Sequence, residues 1–219
     1  MRVEKLFDGV YRIDRKIATI NSDPNVKVYN EELIKNDGIE YRSWNPYRSK
    51  LAAAILNGLK TFSINEKTNV LYLGAATGTT ASHVSDIAHN GNVFCVELSE
   101  RNMRELMHLC ERRKNMFPIL CDANNIDFYI NDVGMCDVIY QDISAKEQAL
   151  IINKNSRMLK KNGYAYFIIK SQSIDISKSP KEVFEHELSL LSDEFEVLEK
   201  IDLEPYDSMH LFVVLRKKA

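Results

Sequence analysis

The stretch that decides the fold reads VLYLGAATGTT, residues 70–80. Its first part, Val70–Leu73, is an unbroken apolar run, as expected for a strand buried on both faces of a parallel sheet. The run ends at Gly74, and small residues lead from there into a helical pattern that starts at Thr80. A strand, a glycine-containing turn and a helix in this order let a ligand approach the backbone at the carboxyl edge of the sheet. The third glycine of the dinucleotide fingerprint is missing, so a plain strand-to-helix turn is the alternative interpretation.

The same rhythm of apolar run, turn and amphipathic run continues along the chain. Further apolar runs lie at residues 92–96, 118–121, 137–140 and 164–169, separated by helical patterns such as 100–114 and 146–159. This alternation predicts an α/β fold with a parallel sheet covered on both faces. Two strand patterns at 195–201 and 211–215 lie too close in sequence for a crossover helix, so they are expected to pair antiparallel.

The beginning of the chain has a different pattern. Residues 1–42 lack helical periodicity and show short alternating runs broken at Asp8-Gly9, Asp23-Pro24 and Asp37-Gly38. These breaks predict a small antiparallel sheet of hairpins. A helix is expected to follow Ser49, which is placed to cap it. We therefore predict an N-terminal β domain over residues 1–47 and an α/β domain over residues 48–219.

Composition limits the possible functions. The chain has 219 residues, of which 45% are hydrophobic and 27% charged, with a net charge of −2. This excludes a disordered chain and a protein that binds nucleic acid through a global positive field, so any such contact must come from a local patch or a partner. No uncharged stretch approaches the roughly 18 residues that span a bilayer, which predicts no membrane association and a cytoplasmic location. The four cysteines form no C-x-x-C pair, so we expect reduced thiols and no metal site.

Carboxylates follow three of the predicted parallel strands. Glu97, Asp122 and Asp142 come at the ends of the second, third and fourth strands and are expected at one edge of the sheet. A single acid there would ordinarily be a helix-start residue, but three favour a ligand with little negative charge. This acidic rim would repel a dinucleotide pyrophosphate, which argues against a nicotinamide dehydrogenase. S-adenosylmethionine fits better, because it brings a sulfonium and an ammonium group.

Two lysines occupy unusual positions. Lys170 ends the fifth strand, which neighbours the fourth in the common order of such sheets, so it is expected to face Asp142. A snorkelling surface lysine is the alternative. Lys50 lies in the first turn of its helix, where a cation opposes the helix dipole. Trp44 lies among aromatic and basic residues and is open to two interpretations, a surface that stacks on RNA bases or an aromatic plug between the β domain and the helix.

Four stretches carry a family resemblance: residues 40–53, 70–80, 140–142 and 203–206, reading EYRSWNPYRSKLAA, VLYLGAATGTT, YQD and LEPY. The chain resembles the fibrillarin family, and within it the short archaeal form without a Gly/Arg-rich extension. The resemblance implies a class I (Rossmann-like) methyltransferase with a seven-stranded sheet and an antiparallel last strand, after a small N-terminal β domain. It also implies 2′-O-ribose methylation of rRNA and tRNA with S-adenosyl-L-methionine. The implied partners are a box C/D guide RNA, the target RNA, a Nop-type scaffold protein and a kink-turn-binding ribosomal-type protein.

The resemblance also assigns residues. The catalytic set falls on Lys50, Asp142, Lys170 and His210. Together with the glycine-containing turn, the expected cofactor contacts are Gly74, Ala75, Ala76, Gly78, Thr79, Thr80, Glu97, Leu98, Asp122, Ala123, Asp142, Ile143, Ser144 and Ala145.

The general base is open between two residues. A ribose hydroxyl must lose its proton as its oxygen attacks the methyl group. We expect Lys170 to accept this proton with Asp142 orienting it, while His210 is the competitor because imidazole is matched to neutral pH. A non-catalytic structural subunit of the same kind of assembly is the alternative function, and it would have no need for two lysines and a carboxylate at a buried edge.

Overall fold

The computed structural model describes residues 2–219, which form two sheets and the helices that cover them. The strands are β1 (Val3–Phe7), β2 (Val10–Ile13), β3 (Lys16–Ile20), β4 (Leu33–Asn36), β5 (Ile39–Ser43), β6 (Val70–Leu73), β7 (Val93–Glu97), β8 (Met116–Leu120), β9 (Cys136–Gln141), β10 (Leu159–Lys170), β11 (Phe195–Asp202) and β12 (His210–Lys217). The α-helices are α1 (Lys50–Leu56), α2 (Thr79–Ile87), α3 (Glu100–Arg112), α4 (Ile130–Val133), α5 (Gln148–Asn155), α6 (Ser171–Ile174) and α7 (Pro180–Ser189), with short 3₁₀ turns at Ile126–Phe128 and Ser156–Met158.

The larger sheet has the order β11-β12-β10-β9-β6-β7-β8. The strands from β10 to β8 run parallel to one another, and β12 runs antiparallel to both of its neighbours. The predicted seven-stranded methyltransferase sheet with a reversed last strand is confirmed. Because β6 has β9 on one side and β7 on the other, the chain reverses direction across the sheet there, and such a point is where open α/β sheets bind ligands.

Both faces of this sheet are covered, which explains the unbroken apolar run of β6. Val70 and Tyr72 point into the core shared with α1 and α2, whereas Leu71 and Leu73 point into the core shared with α5. All four side chains are at most 2% exposed. Since neighbouring residues of a strand face opposite sides, a strand between two helical layers must be apolar at every position.

The smaller sheet is antiparallel, with the order β1-β2-β3-β5-β4, as the hairpin pattern predicts. It packs on α2 through a buried group of charges that we call the seam: Glu31, Arg42, Asp86 and Arg113. Because the two sheets share this buried contact, the domain division at residue 47 stays a prediction.

Trp44 belongs to this contact between the sheets. Its ring is 2% exposed and stacks on His83 of α2 with 4.7 Å between ring centroids. Of the two interpretations open from the sequence, the structure supports the aromatic plug, with the correction that Trp44 stacks on α2 and not on the helix that follows Ser49.

Two local features bear on the site. Ser49 caps α1 as expected, because its side chain accepts a hydrogen bond from the Ala52 amide. The helix predicted over 146–159 is shorter, since α5 ends at Asn155 and Leu159 already belongs to β10. Leu159 is fully buried in the sheet core, so its packing there overrides the helical pattern.

No helix within residues 2–219 is long and apolar enough to cross a membrane.

Candidate active site

A cavity of about 600 Å³ opens at the carboxyl ends of β6, β7, β8 and β9. Eleven residues singled out in the sequence line it: Gly74, Ala76, Glu97, Leu98, Asp122, Ala123, Asp142, Ile143, Ser144, Ala145 and Lys170. They come from the ends of five strands, β6 to β10, that are far apart in sequence. The parallel arrangement brings them together, because it places every carboxyl end at the same edge.

The turn after β6 requires glycine at position 74. Gly74 has a φ of +80°, and a Cβ atom there would lie 2.6 Å from the Asp142 carbonyl oxygen. A side chain at this position would therefore push apart the turn and the residue that follows β9. The contact keeps the backbone of the turn against Asp142 and leaves the edge of the cavity open.

Glu97 is buried at the end of β7 and is 8% exposed. One carboxylate oxygen accepts a hydrogen bond from the Ala76 amide at 2.8 Å, and the other accepts one from the Ser99 amide at 2.8 Å. These bonds fix the carboxylate across the cavity wall between the β6 turn and the start of α3. The alternative of an exposed helix-start acid is therefore wrong for Glu97.

The far wall of the cavity is formed by the residues after β8 and β9. Asp122 accepts a hydrogen bond from the Asn124 amide at 2.8 Å, which shapes the turn that also holds Ala123. Leu98, at the mouth of the cavity, is 66% exposed. Leu98 follows β7, so it lies outside the far wall, which combines the carboxylate of Asp122 with the apolar side chains of Ala123 and Ile143.

Asp142 lies between two lysines at the base of this edge. Its Oδ1 atom is 2.8 Å from Nζ of Lys170 and 3.2 Å from Nζ of Lys50. The three side chains are 13–18% exposed. The predicted meeting of Lys170 and Asp142 is therefore present in the structure, and Lys170 is held in place rather than extended into solvent.

The charges of the two lysines determine the protonation state of Asp142. Burial disfavours its ionisation, but the two ammonium groups outweigh burial and hold the pKa of the carboxyl below its ordinary value. Burial likewise opposes the charge of Lys50, and two carboxylates, Asp142 and Asp207, raise its pKa above the ordinary value. Asp142 is therefore a carboxylate at neutral pH, and Lys50 is an ammonium.

His210 lies beside this group but is not in contact with Asp142. It faces Lys170 as its partner in the pairing of β12 with β10. Its Nδ1 atom is 2.9 Å from Oδ1 of Asp207 and 2.7 Å from the Ser208 carbonyl oxygen. Oδ2 of Asp207 is also 3.4 Å from Nζ of Lys50. We call the five side chains Lys50, Asp142, Lys170, Asp207 and His210 the reaction cluster.

Sequence reasoning missed two members of the site. Asp207 follows the LEPY stretch directly and precedes His210 by three residues, which is a weak signal without the fold. Gln148 is fully buried and joins two parts of the site: its side chain accepts from the Lys170 amide and donates to the Ala145 carbonyl. A glutamine at the start of a helix gives no such indication in sequence.

Four predicted cofactor contacts lie outside the lining of this cavity: Ala75, Gly78, Thr79 and Thr80. Gly78 precedes α2 with a φ of +89°, and Thr79 is its first residue. The Thr80 hydroxyl donates to the Ser49 hydroxyl at 3.0 Å and so joins α2 to α1. The assignment of these four residues to the cofactor stays a prediction, as does that of the ten predicted contacts that line the cavity.

Known proteins are similar to this chain in sequence and in fold. A sequence model described as Fibrillarin matches residues 1–219. The chain belongs to the fibrillarin family. The family member of Thermococcus sibiricus named fibrillarin-like rRNA/tRNA 2′-O-methyltransferase is 50% identical over 225 residues, covering 99% of this chain and 100% of that protein.

Solved structures of the family have the same fold. The structure of Aeropyrum pernix fibrillarin in complex with natively bound S-adenosyl-L-methionine has a TM-score of 0.90 and 40% identity, covering 98% of each chain. The fibrillarin of a fibrillarin/Nop5p complex has a TM-score of 0.90 and 36% identity, covering 98% of this chain and 100% of that one.

Proposed function

We propose that this protein methylates ribose 2′-hydroxyl groups of rRNA and tRNA with S-adenosylmethionine, as the catalytic subunit of a box C/D guide ribonucleoprotein. The observation that carries the proposal is the reaction cluster, in which Lys170 contacts both Asp142 and the cavity of the methyltransferase sheet. The names of its relatives support the same activity and the same cofactor.

The cavity fits S-adenosylmethionine in size and in chemistry. Its volume of about 600 Å³ is in the range of small-molecule sites. Three carboxylates, Glu97, Asp122 and Asp142, line it together with apolar residues, which suits a ligand with an adenine ring and two positive charges. When bound, the cofactor supplies an electrophilic methyl group. In our proposal, Glu97 accepts hydrogen bonds from the two ribose hydroxyls of the cofactor. The segment from Asp142 to Ala145 closes the opposite side of the cavity.

Lys170 is assigned as the proton acceptor for the attacking hydroxyl. Lys50 has two carboxylate neighbours, whereas Lys170 shares its carboxylate, Asp142, with Lys50. Lys170 therefore has fewer carboxylate neighbours than Lys50, and it lines the cavity, which Lys50 does not. For these two reasons we assign neutral Lys170 as the group that accepts the proton. Asp142 fixes Lys170, and Lys50 fixes Asp142, so the acceptor is held in place before the hydroxyl arrives.

His210 is assigned a supporting role. It lies on β12, one strand farther from β9 than Lys170, and its Nδ1 atom is already engaged by Asp207 and the Ser208 carbonyl.

The RNA substrate is proposed to be delivered by partners. A net charge of −2 gives the chain little of the counterion-release affinity that a free RNA-binding enzyme uses. The complex of a relative with Nop5p supports a Nop-type scaffold protein as one partner. The guide RNA and a kink-turn-binding ribosomal-type protein complete the proposed assembly. The cytoplasmic location expected from the sequence stays a prediction.

The decisive experiment measures transfer of a labelled methyl group to a target RNA. The protein is assayed alone and with a guide RNA, a Nop-type protein and a kink-turn-binding protein, with Asp142→Asn as the matched variant. We expect site-selective methylation by the assembled particle, little by the protein alone and none with Asp142→Asn. Assembly without methylation would identify a structural subunit, and efficient methylation of naked RNA by the protein alone would contradict the delivery by partners.

A further inference from the structure

The turn between β11 and β12 places one carboxylate between two members of the catalytic set. Asp207 is 34% exposed at its side chain, and its two oxygens contact different partners. Oδ2 lies 3.4 Å from Nζ of Lys50, and Oδ1 lies 2.9 Å from Nδ1 of His210. Because Lys50 also contacts Asp142, which contacts Lys170, the charges alternate along the whole reaction cluster.

The tautomer of the neutral His210 ring follows from these contacts. The Ser208 carbonyl oxygen is 2.7 Å from Nδ1, and the carboxylate of Asp207 is the second neighbour of the same nitrogen. Both neighbours are acceptors, so Nδ1 must carry the proton. The other ring nitrogen, Nε2, is then the acceptor of the neutral imidazole. Asp207 therefore helps to fix the tautomer and the orientation of the His210 ring, as a carboxylate beside a catalytic histidine does in other enzymes.

The turn that carries Asp207 is firmly anchored. The amides of Tyr206 and Asp207 both donate to the carbonyl of Leu203, which is fully buried. The side chain of Asn57, at the end of α1, donates to the carbonyl oxygens of Asp202 and Glu204 at 2.8 and 2.7 Å. Lys50 lies in the first turn of the same helix, α1. The helix and the turn are therefore joined twice, by the hydrogen bonds of Asn57 and by the contact between Lys50 and Asp207.

We propose that Asp207 is a positioning residue of the methyl-transfer site, which holds the Lys50 ammonium and keeps the His210 imidazole protonated on Nδ1. This inference rests on the proposed methyl transfer. Burial opposes ionisation of Asp207, but the hydrogen bond from His210 and the charge of Lys50 hold the pKa of its carboxyl below the ordinary value. Asp207 thus stays charged over the pH range in which imidazoles and perturbed lysines exchange protons.

The rate of methyl transfer against pH tests this role. With His210 neutral, the four charges of the reaction cluster cancel, because Lys50 and Lys170 balance Asp142 and Asp207. Asp207→Asn leaves one excess positive charge in the reaction cluster, and this charge favours proton loss from the remaining cations. The cations near His210 are Lys170, its partner on β10, and Lys50 on α1, which Asp207 links to His210. In the plot of the single-turnover rate against pH, we expect the acid limb to shift to lower pH by roughly one unit. We expect the maximal rate to fall by roughly 10- to 100-fold, because the orientation of the groups is lost.

Two variants separate positioning from a merely structural role. Asp207→Glu retains the charge and should restore the acid limb and part of the rate. Glu204→Gln removes a carboxylate from the same turn that forms no ion pair within residues 2–219, and it should match the wild type. Calorimetry should show S-adenosylmethionine binding within about twofold of wild type for Asp207→Asn, since Asp207 lies outside the cavity lining. An unshifted limb with an undiminished rate in Asp207→Asn would overturn the proposal.

A second measurement does not depend on activity. In long-range ¹H–¹⁵N spectra of protein with labelled histidine, neutral His210 should carry its proton on Nδ1, with a downfield signal from the bond to the carboxylate. This signal should move upfield in Asp207→Asn and persist in Asp207→Glu. An Nε2-protonated ring, or a signal indifferent to Asp207→Asn, would refute the positioning role. If the spectra behave as expected while the assembled wild-type particle transfers no methyl group, the proposed function fails and the contact of Asp207 with His210 stands.

Discussion

Two groups of alternating charge occur in this molecule, and they are built from different cations. The seam joins Glu31 and Asp86 to Arg42 and Arg113, and these side chains are at most 2% exposed. The reaction cluster uses lysines and a histidine, and its side chains are 13–34% exposed. An arginine keeps its proton under all ordinary conditions, whereas a lysine or histidine can release one.

The difference separates architecture from chemistry. In the seam, Arg42 donates to Asp86 and to the Ser82 hydroxyl while it also pairs with Glu31, so its guanidinium ties β5 to α2 at several atoms. Burial disfavours the charges of Glu31 and Asp86, yet hydrogen bonds and the arginines hold the pKa of both carboxyls below the ordinary value. In the reaction cluster, each ammonium is a compact donor on a partly exposed side chain, and Lys170 also lines the cavity. We infer that the seam fixes the relative placement of the two sheets and the reaction cluster moves protons.

Breaking the seam should have the largest effect. Asp86→Ala leaves Arg42 and Arg113 buried without their shared carboxylate, and loss of one partner from a buried ion pair costs about 3–5 kcal/mol. We expect this decrease in the free energy of unfolding by urea titration. The matched control is Asp127→Ala, which removes an 89% exposed carboxylate that lies 4.0 Å from Arg157 and should unfold like the wild type. Equal urea midpoints for the two variants would remove the architectural role of the seam.

Replacing a lysine of the reaction cluster by arginine tests the other side of the comparison. Lys170→Arg keeps a positive charge beside Asp142 but cannot release a proton, so methyl transfer should fall by about 10²- to 10⁴-fold. Lys50→Arg should retain a measurable rate, because Lys50 acts as a fixed charge. Single-turnover assays on the assembled particle measure both. A wild-type rate for Lys170→Arg would mean that this cluster, like the seam, serves by charge alone.

The choice between Lys170 and His210 is tested with alanine variants. Lys170→Ala should abolish methyl transfer, while His210→Ala should keep a reduced rate, because Lys170 contacts Asp142 and His210 does not. The rates are followed against pH. An acid limb that disappears in His210→Ala, together with activity in Lys170→Ala, would assign the proton to the histidine.

His83, which lies beside the seam, should make the stability of the protein depend on pH. Both ring nitrogens of His83 are engaged, by the hydroxyls of Thr19 and Tyr29 at 2.8 Å. Burial and the charges of Arg42 and Arg113 hold the pKa of His83 well below its ordinary value of 6.5. Below that pH the unfolded chain binds a proton that the folded one does not, so stability falls on acidification, by about 1.4 kcal/mol per pH unit at full slope.

The measurement compares urea unfolding at pH 7 and pH 5. His83→Gln should remove about 2 kcal/mol of the decrease between these two values. His108→Gln, at a position whose side chain is 81% exposed, should leave the decrease as it is in the wild type. The same pH dependence in all three proteins would show that His83 does not contribute.

The smallest expected effect concerns cofactor binding through Glu97, a residue that belongs to neither charge group. Glu97→Ala removes a buried charged acceptor and should weaken S-adenosylmethionine binding by roughly 1–3 kcal/mol in calorimetry. Glu100→Ala, at the exposed first residue of α3, is the control and should bind like the wild type. Equal affinities for the two variants would place the cofactor elsewhere.

The sequence alone was sufficient for the sheet and for one edge of the site. Val70–Leu73 is apolar at every position because both faces of the sheet are covered, and this unbroken apolar run can be recognised without coordinates. The acids Glu97, Asp122 and Asp142 could be placed together for the same reason, since parallel strands end at one edge. The family resemblance added the roles of Lys50 and His210, which no local pattern contains.

Tertiary structure decided which polar residues are buried together. The sequence does not distinguish Arg42, fully buried in the seam, from Arg48 on the surface. Nor does it show that Asp207 bridges Lys50 and His210, because the contact with Lys50 joins residues from a helix and a turn more than 150 positions apart. Apolar periodicity reports local geometry and so survives in the sequence, whereas the partner of a charged group depends on the strand order and on which elements pack against each other.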